Sequence, residues 1–138
     1  MMGSVEIQDA LVQVMVLMSA VDRSMSDEEL ARIGSLVRSL PVFDGYDEER
    51  IIPAAQSCQQ TLQKPQGLSG ILGELGDIIP ARLRDTAYAL AVEVAAVDLH
   101  VEQEELRLLK LFRDHFMIDR LTVAAIERGA LARYRTMV

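Results

Sequence analysis

The 138-residue chain carries 21 acidic and 14 basic residues, which gives a formal net charge of −7. This balance argues against a nucleic-acid-binding protein, because phosphates require a basic surface. Half of the residues are hydrophobic, yet there are only three Phe, three Tyr and no Trp. The composition therefore predicts one folded domain with a core of aliphatic side chains.

Two features predict a reduced, cytoplasmic location. Cys58 is the single cysteine, so no disulfide can form within the chain. The first residues include Glu6 and Asp9, where a secretory signal would carry positive charge. The apolar run over 12–21 is interrupted by Gln13 and Ser19, so we expect a core helix and no direct insertion into a membrane.

In the first half, helical spacing of apolar residues predicts a largely buried helix over 5–21. Ser26 followed three residues later by Glu29 is a capping-box pattern and predicts the start of a second helix. Pro41 ends that helix. A third helix is expected from about Asp47 to Leu62, with Pro53 either kinking it or lying near its true start.

In the second half, a glycine-rich segment over 68–79 predicts a short helix held mainly by tertiary contacts. A long helix then runs from Pro80 or Ala81 to about Val97, and Asp119 is the expected cap of the last helix. The side chains expected to face inward on the last two helices are Leu106, Leu109, Phe112, Phe116, Leu121, Ala125, Ile126, Ala130 and Tyr134.

One stretch occurs twice at a constant offset of 76 residues, and six of its eleven positions are identical. The copies, at 20–30 and 96–106, share the pattern Ala-Val-Asp-x5-Glu-Glu-Leu. Each copy lies between two apolar helical runs, so each predicts a helix–acidic turn–helix corner. We refer to these as the first and second corners.

The repeat predicts the architecture. We expect an all-α, single-domain bundle of about seven helices spanning residues 1–138. Two three-helix repeats, at about 5–63 and 80–137, would be related by a pseudo-twofold axis and joined by a Gly-rich bridging helix within 64–79. A closed bundle of this kind buries both apolar faces, whereas two repeats are too few for a solenoid.

The corners offer a candidate cation site. A short connection brings Asp22 close to Glu29 in the first corner, and Asp98 close to Glu105 in the second. Further donors are Glu28, Glu104 and His100. Carboxylates bind hard cations such as Ca²⁺ or Mg²⁺, while His100 would favour a transition metal. The same residues also suit helix capping without any ion, and the sequence leaves both interpretations open.

The repeated Ala-Val-Asp and Glu-Glu-Leu elements in a small, acidic, helical domain resemble the TerB-like tellurite-resistance proteins. The resemblance covers nearly the whole chain and implies a helical bundle with two pseudo-twofold halves. It also implies a non-catalytic role in stress response, with divalent-cation binding by Asp22, Glu29, Asp98 and Glu105. The family usually has Gly after the corner Asp, where this chain has Arg23 and Leu99.

Three functional hypotheses follow. The first is a stress-response protein that holds a divalent cation at its corners and acts with a protein partner. The resemblance implies that this partner is part of a membrane-associated complex. The second is a protein-interaction module whose corners are only helix caps and whose acidic surface docks a basic partner; a homo-oligomer is compatible with either. The third, hydrolysis by paired carboxylates, is least favoured because no base, nucleophile and oxyanion donor can be named together.

Overall fold

A computed structural model describes residues 3–20, 25–97 and 103–138. Within these ranges the chain is helical, without strands, which confirms the all-α prediction. The seven helices are α1 (Ser4–Ser19), α2 (Asp27–Ser39), α3 (Ile51–Leu62), α4 (Gly67–Ile78), α5 (Arg84–Val97), α6 (Gln103–Phe116) and α7 (Arg120–Arg133). Short 3-10 turns occupy Pro41–Phe43, Glu48–Arg50 and Ala81–Leu83.

Helix α1 lies at the centre of the bundle. Residues 10–12 and 14–18 are all buried, so this helix is apolar around most of its circumference, as its sequence predicts. It contacts α2, α3, α4 and α5. The buried amide of Gln8 donates to the backbone carbonyls of Val42 and Asp44, which fixes the turn after α2 against α1.

Helix α5 is the second central element and contacts α1, α6 and α7. Small and large side chains alternate on its buried surface, where Ala87, Tyr88 and Ala91 are fully enclosed. Helix α6 covers it with an apolar face on which the rings of Phe112 and Phe116 stack at 5.6 Å. Tyr88, Phe112 and Phe116 are therefore the largest side chains of this part of the core.

Both prolines near the predicted third helix lie where they cost little. Helix α2 ends at Ser39, and Pro41 begins a 3-10 turn. Asp47 caps a second 3-10 turn at Glu48–Arg50, and α3 follows directly at Ile51. Pro53 is then in the first turn of α3, where its missing N–H has no partner to lose, so no kink arises.

The glycine-rich segment forms α4, which contacts α1, α3 and α6. Ile71, Leu72 and Leu75 are buried at helical spacing. Since several glycines lower its intrinsic helix propensity, these tertiary contacts stabilise it.

Three residues expected to face the core do not. Leu106 is 53% exposed and Leu121 is 81% exposed, and Ala125 is exposed as well. In α6 the buried stripe runs through Leu108 instead, and Leu106 lies at its edge in the first turn. In α7 the inward side is set by Ala130, and Leu121 precedes it by nine residues, roughly two and a half turns, so it points the opposite way.

Within the described residues, no helix combines the length and the apolar character needed to cross a membrane.

Candidate functional site

The first corner is built by a helix end followed by a capped restart. The last turn of α1 closes with the Ala20 N–H donating to the Val16 carbonyl at 2.9 Å. Met25 is half-buried against the core, and Ser26 is the N-cap of α2. Met25 and Ser26 therefore fix the point at which the chain enters α2.

Ser26 and Glu29 form the predicted capping box, which the structure confirms. The Glu29 N–H donates to the Ser26 hydroxyl at 3.2 Å. Glu29 Oε1 in turn accepts from the Ser26 N–H at 3.3 Å and from its hydroxyl at 3.0 Å. One carboxylate oxygen of Glu29, a predicted cation ligand, thus serves as a hydrogen-bond acceptor at the start of the helix.

The remaining candidates of the first corner are placed only in part. Asp27 and Glu28 are exposed in the first turn of α2, where their charge complements the helix dipole. Asp22, with Arg23 beside it, lies outside the described residues.

The second corner connects α5, which runs to Val97, with α6, which begins at Gln103. Glu104 is exposed in the first turn of α6, and Glu105 is partly exposed beside it. Asp98 and His100 lie outside the described residues. The two sequence-predicted ligand sets are therefore each represented by their glutamates alone.

Among the residues the structure describes, no three His, Cys, Asp or Glu side chains are grouped to hold a metal ion. Asp22 and Asp98 lie outside the described ranges, so neither corner is complete among these residues. Glu29 forms a helix cap with Ser26, and the chain has Glu102, not Ser, at the equivalent position of the second corner.

Sequence reasoning missed a polar cluster that connects α1 to the segment before α3. The Tyr46 hydroxyl donates to Asp9 Oδ1 at 2.6 Å, and the Arg50 guanidinium donates to both Asp9 oxygens, at 3.1 and 2.5 Å. Partial burial alone would raise the pKa of Asp9, but the hydrogen bonds from Arg50 and Tyr46 outweigh it and lower that pKa. Residues 41 positions apart carry no local signal, so spacing could not reveal this pair.

A second polar cluster joins α5, α6 and α7. The Tyr88 hydroxyl donates to Glu127 Oε2 at 2.7 Å, and Arg113 donates to the same oxygen at 3.3 Å and to the Tyr88 hydroxyl at 3.4 Å. Burial and the neighbouring Glu127 carboxylate raise the pKa of Tyr88 to about 12. This cluster fixes the orientation of α7 on α5.

The thiol of Cys58 is buried on α3, as expected for a structural cysteine. Burial raises its pKa to about 12, so the thiol is protonated at neutral pH and is a poor nucleophile.

Two surface grooves of similar size lie between pairs of helices. One, of about 320 Å³, lies between α1 and α3, and the other, of about 370 Å³, lies between α5 and α7. Their linings include residues separated by the same 76 positions, namely Asp9 and Asp85, Gln13 and Ala89, and Arg50 and Ile126. Arg50 crosses the first groove to Asp9, whereas Ile126 leaves the second groove apolar.

Comparison with known proteins gives no match, whether to a family model, to a curated protein or to a solved structure.

Proposed function

We propose that the protein is a non-catalytic, TerB-like protein of a tellurite-resistance-like stress response, and that it holds Ca²⁺ or Mg²⁺ at its second corner. The ligands would be Asp98 and Glu105, with Glu104 and His100 as further donors. The first corner, with Asp22, Glu28 and Glu29, would act mainly as a helix cap. A cytoplasmic location and a protein partner, in a membrane-associated complex, belong to the same proposal.

The capping box of Ser26 and Glu29 is the observation that carries this assignment. It gives Glu29, the repeated glutamate of the first copy, a structural role that depends on a serine hydroxyl. The second copy has Glu102 at that position, so its sequence lacks the serine on which a capping box of this kind depends. Leu99 also replaces Arg23 there, which removes a positive charge that would compete with a cation.

The pseudo-twofold arrangement of repeats 5–63 and 80–137, with the bridge 64–79 between them, forms part of the proposal. Helices α2 and α6 begin at Asp27 and Gln103, which are 76 residues apart. Helix α1 packs on α3, and α5 packs on α7, as two related halves would. The paired grooves support the same relationship.

Calorimetric titration of Ca²⁺ and Mg²⁺ tests the cation assignment. The wild-type protein should give a saturable heat, which Asp98→Asn/Glu105→Gln abolishes and Asp22→Asn/Glu29→Gln preserves. Circular dichroism of each variant verifies that it is folded. The absence of saturable heat at about millimolar metal would exclude the cation role.

A second candidate is a protein-interaction module whose corners are both helix caps. The engagement of Glu29 by Ser26 favours it, because it shows that a corner glutamate has a role without any ion. In that case the Asp98→Asn/Glu105→Gln variant should lose stability without any change in metal response. Urea unfolding with and without Ca²⁺ separates the two candidates, since a bound cation raises the free energy of unfolding.

A further inference from the structure

Helix α7 is apolar on two opposite sides, and only one of them is used inside the bundle. Its inner side packs on α5 through Ala130, which is buried, and through Val123 and Ile126, which are partly buried. On its outer side, exposed residues recur at helical spacing along the length of the helix. This α7 outer face consists of Leu121, Ala124, Ala125, Arg128, Leu131 and Ala132.

The exposure of this face is not a small local feature. Leu121 is 81% exposed and Leu131 is 59% exposed, at the two ends of the helix. Single exposed leucines are ordinary on protein surfaces, but an apolar stripe along a whole helix is typical of an interaction surface. A helix that is apolar on both sides is usually covered on both sides.

The α7 outer face cannot turn inward, because polar contacts lock the orientation of α7. Glu127 is held by Tyr88 and Arg113. At the end of the helix, Arg133 and Tyr134 both bond to the carboxylate of Glu93 on α5. Rotation of α7 would break both sets of contacts at once, so the outer side stays available to another molecule.

The groove between α5 and α7 extends this surface. Ala89 and Ala125 leave space for inserted side chains, and Leu121 and Ile126 form apolar walls. In the groove between α1 and α3, Arg50 reaches across to Asp9 and places an ion pair in the lining. The α5–α7 groove is thus open and apolar where its counterpart is bridged and polar.

The charge of the face is opposite to that of the chain. Arg120 and Arg128 form no hydrogen bond or ion pair with any residue that the structure describes. The acidic groups nearby are Asp119, which caps α7, and Asp85, which accepts from the Thr86 N–H at the rim of the groove. Arg120 lies at the start of the helix and Arg128 lies within the α7 outer face, so their unpaired guanidinium groups complement carboxylates on an otherwise apolar helix.

We propose that the α7 outer face and the adjoining groove bind an acidic amphipathic helix of a partner protein. The apolar side of that helix lies along Leu121 and Leu131, and its carboxylates pair with Arg120 and Arg128. A second copy of this chain is disfavoured as the occupant in an antiparallel α7–α7 pair. Arg128 lies near the middle of the helix, so such a pair brings two guanidinium groups together.

The test uses a synthetic, fluorescently labelled peptide of about 20 residues, long enough to form a helix, with Leu at helical spacing and Glu on its flanks. Fluorescence anisotropy, recorded with EDTA present, measures binding independently of any cation at the corners. A peptide with Lys in place of every Glu is the charge control. The acidic peptide should bind at least about tenfold more tightly than the lysine peptide.

Three variants locate the binding. Leu121→Gln/Leu131→Gln and Arg128→Glu should each weaken binding of the acidic peptide about tenfold. Leu106→Gln, at an exposed leucine of α6, should leave it unchanged. These positions are exposed, so the fold is retained, and circular dichroism checks this.

Equal binding of both peptides, or unchanged binding by Leu121→Gln/Leu131→Gln, would overturn the proposal. Sedimentation equilibrium tests whether a second copy of the chain binds this face. A wild-type dimer that Leu121→Gln/Leu131→Gln dissociates would show that it does and would also overturn the proposal. A monomeric wild-type protein is the expected result.

Discussion

Ser26 and Glu29 hold each other at the start of α2, the serine hydroxyl accepting from the Glu29 N–H while the glutamate carboxylate accepts from the Ser26 N–H. This reciprocal pair ends the first corner and begins the next helix. The second copy has Glu102 at the position of Ser26, so a serine–glutamate pair of this kind is specific to the first corner.

The substitution Ser26→Ala should lower the free energy of unfolding by about 1 kcal/mol, because an orphan N–H of α2 loses its acceptor. Urea unfolding measures the change. Ser69→Ala, at an exposed position within α4, is the matched control and should not destabilise the protein, because Ala is the better helix former. Equal losses for the two variants would contradict the role of the cap.

The contact between Asp9 and Arg50 predicts a dependence of stability on pH. The pKa of Asp9 is lowered in the folded protein from its ordinary value of 3.8. The unfolded chain therefore binds the proton more readily, and the stabilisation is fully present above that ordinary value and lost as the pH falls through the depressed pKa. Asp9→Asn should flatten this acid limb in urea unfolding measured from about pH 6 to about pH 2.

Arg50→Met provides an independent check, because it keeps the carboxyl group and removes one cause of the lowered pKa. It should weaken the same pH dependence. If the stability of both variants runs parallel to that of the wild type over the whole acid range, Asp9 does not contribute in this way.

The glycines of α4 should respond to alanine in opposite directions. A Cβ added at Gly70 or Gly73 would meet nothing within 4 Å, so each change to Ala should raise the free energy of unfolding by about 0.5–1 kcal/mol. A Cβ at Gly67 would lie 2.1 Å from the Thr61 carbonyl oxygen, so Gly67→Ala should destabilise by about 1–3 kcal/mol.

Thermal or urea unfolding of the three single variants checks this order. Gly67→Ala is the internal control, because it makes the same chemical change within the same helix. A loss of stability in Gly70→Ala and Gly73→Ala would mean that these glycines are needed for a contact made by another molecule.

Local patterns predicted much of the fold. The caps at Ser26 and Asp119, and the stop before Pro41, follow from hydrogen-bonding chemistry within a few residues, and the structure contains each of them. The inward direction of Leu106 and Leu121 was wrong, because periodicity identifies an apolar stripe but not which of two stripes meets the core. In α7 both stripes are apolar, and only the contacts with α5 select one.

The candidate sites also include some that local spacing predicts and others that it cannot predict. Glu29 was recognised from a spacing of three residues, and its alternative role as a cap is confirmed. The pairs Asp9–Arg50 and Tyr88–Glu127 join residues far apart in the chain, so the packing of helices, not a motif, creates them. The α7 outer face depends on the orientation of one helix and could not be derived before that orientation was known.

The difference between the two corners is the central claim, and paramagnetic broadening by Mn²⁺ in an amide-resolved NMR spectrum tests it most directly. Mn²⁺ accepts the same oxygen ligands as Ca²⁺ and Mg²⁺ and broadens the signals of nearby amides. Substoichiometric Mn²⁺ should broaden the amides of residues 103–106, while those of Ser26 and Glu29 keep their intensity, and excess Mg²⁺ should reverse the effect. Equal broadening at both corners, or broadening at neither, would contradict the account.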